Sequence, residues 1–323
     1  MTVATGVRAV FDAGGEVLAR LMERLELRMG ELAGGHGALL GRHAGDTIAA
    51  GGKRLRPLLA CLAAGVPPPE SDGLLRAAVA VELVHGATLV HDDVLDGSAL
   101  RRGRPTVLAA GGRASATATG DLLFSRAFAE LAAGGSVEAV RILARASSEL
   151  AEGELMQRAD AWDLDVSVER YLRRCRMKTA VLFRAACELG ALESSSLPTS
   201  LGLFGERVGL AFQILDDVLD VSGPPERTGK PRGTDLLDGT VTLPLIVARG
   251  RDTAGAPDEL RRLNDPEEAA AVCDWITSTG ALAVAKDRAV GLAQDAKALL
   301  SGLPARQRAA LELVADGVVE RYA

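Results

Sequence analysis

A chain of 323 residues, 48% hydrophobic and 25% charged, is long enough to bury a large core, roughly 75% of its unfolded surface. Its formal charge of −6, from 37 basic and 43 acidic residues, argues against nucleic acid as a partner, which would call for a concentrated basic face. The four cysteines, Cys61, Cys175, Cys187 and Cys273, are scattered with no CxxC spacing, so they suggest neither a disulfide framework nor a zinc site. Buried thiols in a reducing cytoplasm fit them better.

From the N-terminus, MTVATGVRAVFDAGGEVLAR lacks a charged region followed by an apolar stretch and does not read as a signal peptide. No uninterrupted apolar run approaches the ~20 residues needed to cross a bilayer, so a cytoplasmic protein without a transmembrane segment is expected. Breakers cluster at Gly65 to Pro69, Gly111–Gly112, Gly134–Gly135, Ser194 to Pro198 and Gly223 to Pro225, which read as connections. Between them apolar residues recur at helical spacing, and no stretch shows sustained strand-like alternation. About a dozen helices are expected, among them 2–30, 73–97, 114–133, 137–158, 168–190, 199–222, 281–300 and 305–321. No linker or composition shift divides them, which favours one all-α domain over residues 1–323.

Two of these helices stand out. One is capped near Ser71–Asp72 and runs through LLRAAVAVELVHGATLVHDDVLD to Gly97; the other starts near Thr199–Ser200 and runs to Gly223. Both are apolar on most sides, as in helices buried within a bundle. Each ends in the same pentapeptide, DDVLD, at residues 92–96 and 216–220. At ~100° per residue, Asp92 and Asp96 share a face, as do Asp216 and Asp220, with Asp217 and Gln213 on the adjoining stripe. Like charges at i,i+4 destabilise a helix, and burying carboxylates without partners costs far more. A cation must compensate, and magnesium is typically held by one or two carboxylates plus substrate phosphates. A single such pair would read as a solvated helix end; the repetition on two apolar helices points to a metal site.

Cationic groups accompany the clusters. His85 lies about two turns before Asp92 on nearly the same face, where a diphosphate contact competes with an ordinary core histidine. Arg101–Arg102–Gly103–Arg104 follows the first cluster, and such arginines can grip phosphate bidentately or remain solvated surface. Gly51-Gly52-Lys53-Arg54-Leu55-Arg56-Pro57 offers a glycine turn and three cations before a helix start, without the spacing of a nucleotide P-loop. Lys178–Thr179 falls mid-helix, and Lys230 follows Gly229 after the second cluster. Together these groups describe a cavity for two diphosphates bridged by magnesium.

In this order and combination, GGKRLRP, VHGATLVHDDVLDGSALRRGRPT, RMKTAVLF, AFQILDDVLD and GKPRGTDLLDG…TLPLI resemble the trans-isoprenyl diphosphate synthases, the polyprenyl synthetase family, from Gly51 to Pro244. The resemblance implies a helical bundle around a central cavity, usually a homodimer, that condenses isopentenyl diphosphate with an allylic diphosphate to an all-trans product. It implies that Lys53, Arg56, His85 and Arg102 bind isopentenyl diphosphate. Asp92, Asp96 and Asp216 would ligate magnesium, three ions bridging the allylic diphosphate. Arg101, Lys178 and Lys230 would contact that diphosphate, and Thr179 and Gln213 would line the reacting region. Thr240 departs from the pattern, standing where the family often has a lysine. In the family a bulky residue about five positions before the first motif blocks chain growth. Here Ala87 and Thr88 leave the tunnel open, with Phe128 or Leu131 as a deeper floor, implying a product of C20 or longer. A terpene cyclase would call for aromatic walls, which a 3% aromatic chain does not offer. A regulatory partner subunit should have lost its aspartates.

Overall fold

The computed structural model describes residues 3–34, 37–194, 198–223, 231–252, 263 and 265–320. Helices α1 (Val3–Ala33), α2 (Ala38–Ala49), α3 (Leu55–Ala64) and α4 (Asp72–Leu95) lead into a short hairpin of β1 (Leu100–Arg101) and β2 (Arg104–Pro105). Next come α5 (Val107–Ala133), α6 (Val137–Ala159), α7 (Val168–Cys175), a π-helical turn (Arg176–Ala180), α8 (Val181–Ala191) and α9 (Pro198–Ser222). The chain closes with α10 (Thr234–Leu237), α11 (Leu243–Arg251), α12 (Pro266–Ser278), α13 (Ala281–Ala298) and α14 (Ala305–Glu320). The fold is all-α, as the periodicity requires.

Local chemistry sets the helix starts. Ser71, Thr106, Ser136 and Ser167 each accept a hydrogen bond from the backbone N–H three residues on, satisfying a donor that the first turn leaves open. Asp265 does the same two residues on, ahead of Pro266 at the first helical position. Helix α4 packs against α3, α5 and α8, while α9 packs against α8 and α13. These two apolar helices form the centre. By length and composition α4 would suffice to cross a membrane, yet 61% of its most apolar window is buried inside the fold.

Three details differ from the sequence expectation. The Gly111–Gly112 pair is a kink, not a connection: α5 begins at Val107 under its Thr106 cap and runs through Gly112, whose φ of 77° interrupts the helical ladder. The hairpin is too short to show alternation, and its two central residues, Arg102 (φ 53°) and Gly103 (φ 72°), have the positive φ values of a tight hairpin turn. Lys178 and Thr179 lie in the π-helical turn rather than in regular α-helix. Residues 195–197 and 224–225 of the expected connections, and Lys230, lie outside the described residues.

The π-helical turn sits against α6 at Gly153, where an added Cβ would come within 2.7 Å of the Lys178 backbone nitrogen. Only the absence of a side chain lets the two backbones approach this closely. Gly153→Ala should therefore lower stability by about 1–3 kcal/mol through overpacking, read as a shift in the urea midpoint.

Candidate active site

The C-terminal ends of α4 and α9 contribute to one cavity of about 330 Å³. Asp92 and Asp96 enter from α4, Asp216 and Asp217 from α9, and Asp235 and Asp238 from α10 and its end. Arg56, Arg101, Arg174 and Lys178 line the same space, as do Thr88, Thr179, Gln213 and Thr240. The two identical pentapeptides thus converge, as the repetition suggested, but their aspartates do different work.

In the first cluster Asp93 is 4% exposed and turns away to accept from Arg101 Nε at 2.8 Å. In the second, Asp217 is 3% exposed and fully engaged. Tyr171 donates its hydroxyl to Asp217 Oδ2 at 2.7 Å, Gln213 donates to Asp217 Oδ1 at 2.7 Å, and Thr179 donates to Gln213 Oε1 at 2.6 Å. That chain of bonds links three of the lining residues into one rigid wall. Asp220 caps the start of α10, accepting from the Asp235 N–H at 3.1 Å. Asp220 is absent from the cavity lining, and helical spacing alone could not separate it from Asp216.

Lys178 has a partner that sequence did not indicate. Its Nζ meets Glu154 Oε2, and the other oxygen of Glu154 accepts from Arg158 Nε at 2.9 Å. Arg158 also donates to Asp96 Oδ1. The only hint was an i,i+4 Glu–Arg pair on α6, a spacing too common to mark a site. Asp235 and Asp238 were visible within the DLLDG motif but had no assigned role. Trp162, between α6 and α7, lies on Gly239, where a Cβ would come within 2.4 Å of the ring. Its backbone N–H donates to the Gly239 carbonyl at 2.9 Å. This contact fixes the segment that carries Asp238 and Thr240.

Across α4 lies a second cavity, also about 330 Å³, which shares His85, Leu89 and Arg101 with the first. Arg102, Arg104 and Gly51 stand on its wall, with Leu83, Val90 and Leu123. Burial and the neighbouring Arg56, Arg102, Arg101 and Arg54 hold the His85 imidazole well below its usual range, so it is neutral at pH 7. Burial lowers Arg56 to about 10, and its guanidinium lies 4.7 Å over the Phe183 ring. Arg102 donates to the Gly51 carbonyl. Arg54 is structural: it pairs with Glu26 at 2.5 Å and Glu82 at 3.0 Å. Lys53 is exposed at the turn and lines neither cavity. Of the chain-length positions, Thr88 lines the acidic cavity, whereas Ala87, Phe128 and Leu131 line neither.

A model of the polyprenyl synthetase family matches residues 38–276, the stretch that carries both aspartate helices and the arginine cradle. The chain belongs to the polyprenyl synthetase family. It is 39% identical over 302 residues to heptaprenyl diphosphate synthase component 2 of Geobacillus stearothermophilus, covering 92% of this chain and 93% of that protein. It is 35% identical over 267 residues to octaprenyl diphosphate synthase of Escherichia coli K12, covering 80% and 82%. A polyprenyl synthase from Caulobacter crescentus CB15, solved with calcium and isoprenyl diphosphate, superposes with a TM-score of 0.90 at 38% identity over 97% of this chain and 98% of that one.

Members of this polyprenyl synthetase family generally use magnesium. Among the described residues no three carboxylate, imidazole or thiol groups converge on one point. Magnesium commonly completes its octahedron with water and phosphate oxygens, so separated carboxylates around one cavity fit a cation held jointly by protein and diphosphate. Burial pushes the Asp92 carboxyl up to about 6, with Glu154 and Asp96 adding to the rise and Lys178 opposing it. Burial likewise raises Asp217, against the opposing bonds from Tyr171 and Gln213.

Both carboxyls have folded pKa values above their unfolded ones, so the native state holds more protons than the unfolded chain. Their contribution is fully present below the unfolded value of about 4 and is lost as pH rises through about 6 for Asp92 and about 7 for Asp217. The metal-free protein should therefore melt lower at pH 8 than at pH 5.5, apart from other titrations, in differential scanning calorimetry. Magnesium with a diphosphate should raise the melting temperature more at pH 8, where binding need not displace protons.

Proposed function

We infer that this chain is a trans-polyprenyl diphosphate synthase that adds isopentenyl diphosphate to an allylic diphosphate and releases an all-trans product of C20 or longer. The observation that carries the reading is the meeting of Asp92, Asp96 and Asp216 in one cavity that shares His85 and Arg101 with an arginine-lined pocket. Relatives named heptaprenyl, octaprenyl and geranylgeranyl diphosphate synthases support the product range.

The two phosphate-binding tasks divide by charge. Asp92, Asp96 and Asp216 would hold three magnesium ions together with the allylic diphosphate, and Arg101, Lys178 and Lys230 would grip its oxygens. Magnesium bound there would screen the charge that develops on departing pyrophosphate. Lys53, Arg56, Arg102 and His85 would hold the isopentenyl diphosphate, Lys53 reaching it from the exposed turn outside both cavities. Thr179 and Gln213, fixed through Asp217 and Tyr171, position the double bond against the allylic carbon. Ionisation of the allylic C–O bond, attack by that double bond and loss of a proton to pyrophosphate complete the cycle. No side-chain nucleophile is needed.

Thr240 brings a hydroxyl to the wall where a lysine would bring charge, leaving Arg56, Arg101, Arg174 and Lys178 as the cations lining that cavity among the described residues. The four buried free thiols suit the cytoplasm, and self-association as a homodimer follows the family.

Purified protein with magnesium, labelled isopentenyl diphosphate and C10, C15 or C20 allylic diphosphates should yield labelled prenyl diphosphates of C20 or longer. Hydrocarbon instead of diphosphate would mean a cyclase. Asp92→Ala and Asp216→Ala should each reduce turnover on the order of 10²-fold or more while leaving the circular dichroism spectrum unchanged. A near-normal rate in either variant refutes the metal assignment.

A further inference from the structure

Asp96 is the last carboxylate of the first cluster, and one of its oxygens is already engaged. Arg158, at the end of α6, donates from Nη2 to Asp96 Oδ1 and from Nε to Glu154 Oε1 at 2.9 Å. Glu154 Oε2 in turn meets Lys178 Nζ. Four side chains therefore form a row of alternating sign, Asp96, Arg158, Glu154, Lys178, running from α4 across α6 to the π-helical turn.

Two properties make the Arg158–Asp96 link reversible. The side chains keep 38% and 26% of their surface exposed, so neither is locked into the core. Arg158 is also tied to Glu154, so it keeps a counter-ion when it releases Asp96. A guanidinium held on Asp96 offsets its charge and repels a divalent cation approaching the same carboxylate, so the two compete for it electrostatically. Asp92 is different: burial raises its pKa, with Lys178 and Arg101 opposing the rise, and no guanidinium bonds it directly among the described residues.

We propose that Arg158 is a built-in counter-ion of the first aspartate cluster, which holds Asp96 until a divalent cation displaces it and so sets the cation concentration the site requires. Arg158 is a positioning residue that acts through Asp96. The proposal rests on the prenyl diphosphate synthase reading of the cavity.

The test uses the full chain, titrated with magnesium at fixed, saturating methylenediphosphonate, with the heat of binding in isothermal titration calorimetry giving the half-saturation point and the melting temperature recorded beside it. Removing a competitor of the strength of a partly exposed ion pair should lower the half-saturating magnesium in Arg158→Met by about three- to fivefold. Arg158→Lys keeps the charge but loses the bidentate fork, so it should shift the same way by less, and it serves if the methionine variant does not fold. A merely structural arginine would change the melting temperature without moving the half-saturation point. An unchanged or raised half-saturation point in the variants, with normal magnesium stabilisation of the wild type, overturns the proposal alone; a raised one makes Arg158 a diphosphate ligand. No magnesium-dependent stabilisation of the wild type overturns the reading of the cavity, and the proposal with it.

Discussion

Carboxylates facing one another across a shared cavity repel, and the rest of this molecule is arranged around that repulsion. Two apolar helices, α4 and α9, bring their acidic ends together, and their long hydrophobic bodies are what makes this affordable: the burial of Leu74, Leu83, Val84, Leu201 and Phe204 anchors each helix away from its charged end. Around the acids the chain sets a partial complement of cations. Some are spent inside the protein, as Arg101 is on Asp93 and Lys178 on Glu154. What is left uncompensated is the electrostatic basis for taking up a divalent cation together with a polyanion.

Much of this was legible in sequence because helices write their geometry at fixed spacing. The i,i+4 spacing put Asp92 and Asp96 on one face, and the repeated pentapeptide tied two distant segments to one purpose. The Ser71 cap was readable from residue type and position. What spacing could not show was which way each aspartate turns. Asp93, Asp217 and Asp220 differ from their neighbours because of Arg101, Tyr171 and the N–H of Asp235, partners distant in sequence or set by loop geometry. Glu154 and Arg158 escaped for the same reason: a charged pair on an amphipathic helix is ordinary until a third element supplies Lys178 and Asp96.

The π-helical turn shows the same limit in the backbone. RMKTA is compatible with a regular helix, and nothing in its composition signals a wider turn. The extra residue per turn changes which side chains share a face, so Lys178 and Thr179 both reach the cavity, one toward Glu154 and the other toward Gln213. Gly153 on α6 lets this widened backbone pack closely. A glycine in one helix and an irregular turn in another thus form a single device.

The indole of Trp162 gives the molecule an optical property. The chain has two tryptophans, and Trp275 lies on α12, bonded through its ring N–H to Asp252 at 3.2 Å. Trp162 alone rests on the segment that brings Asp238 and Thr240 to the cavity wall. Any occupant that shifts that segment also changes the surroundings of this ring, so the protein's own emission spectrum carries a local record of what the cavity holds, without an added label.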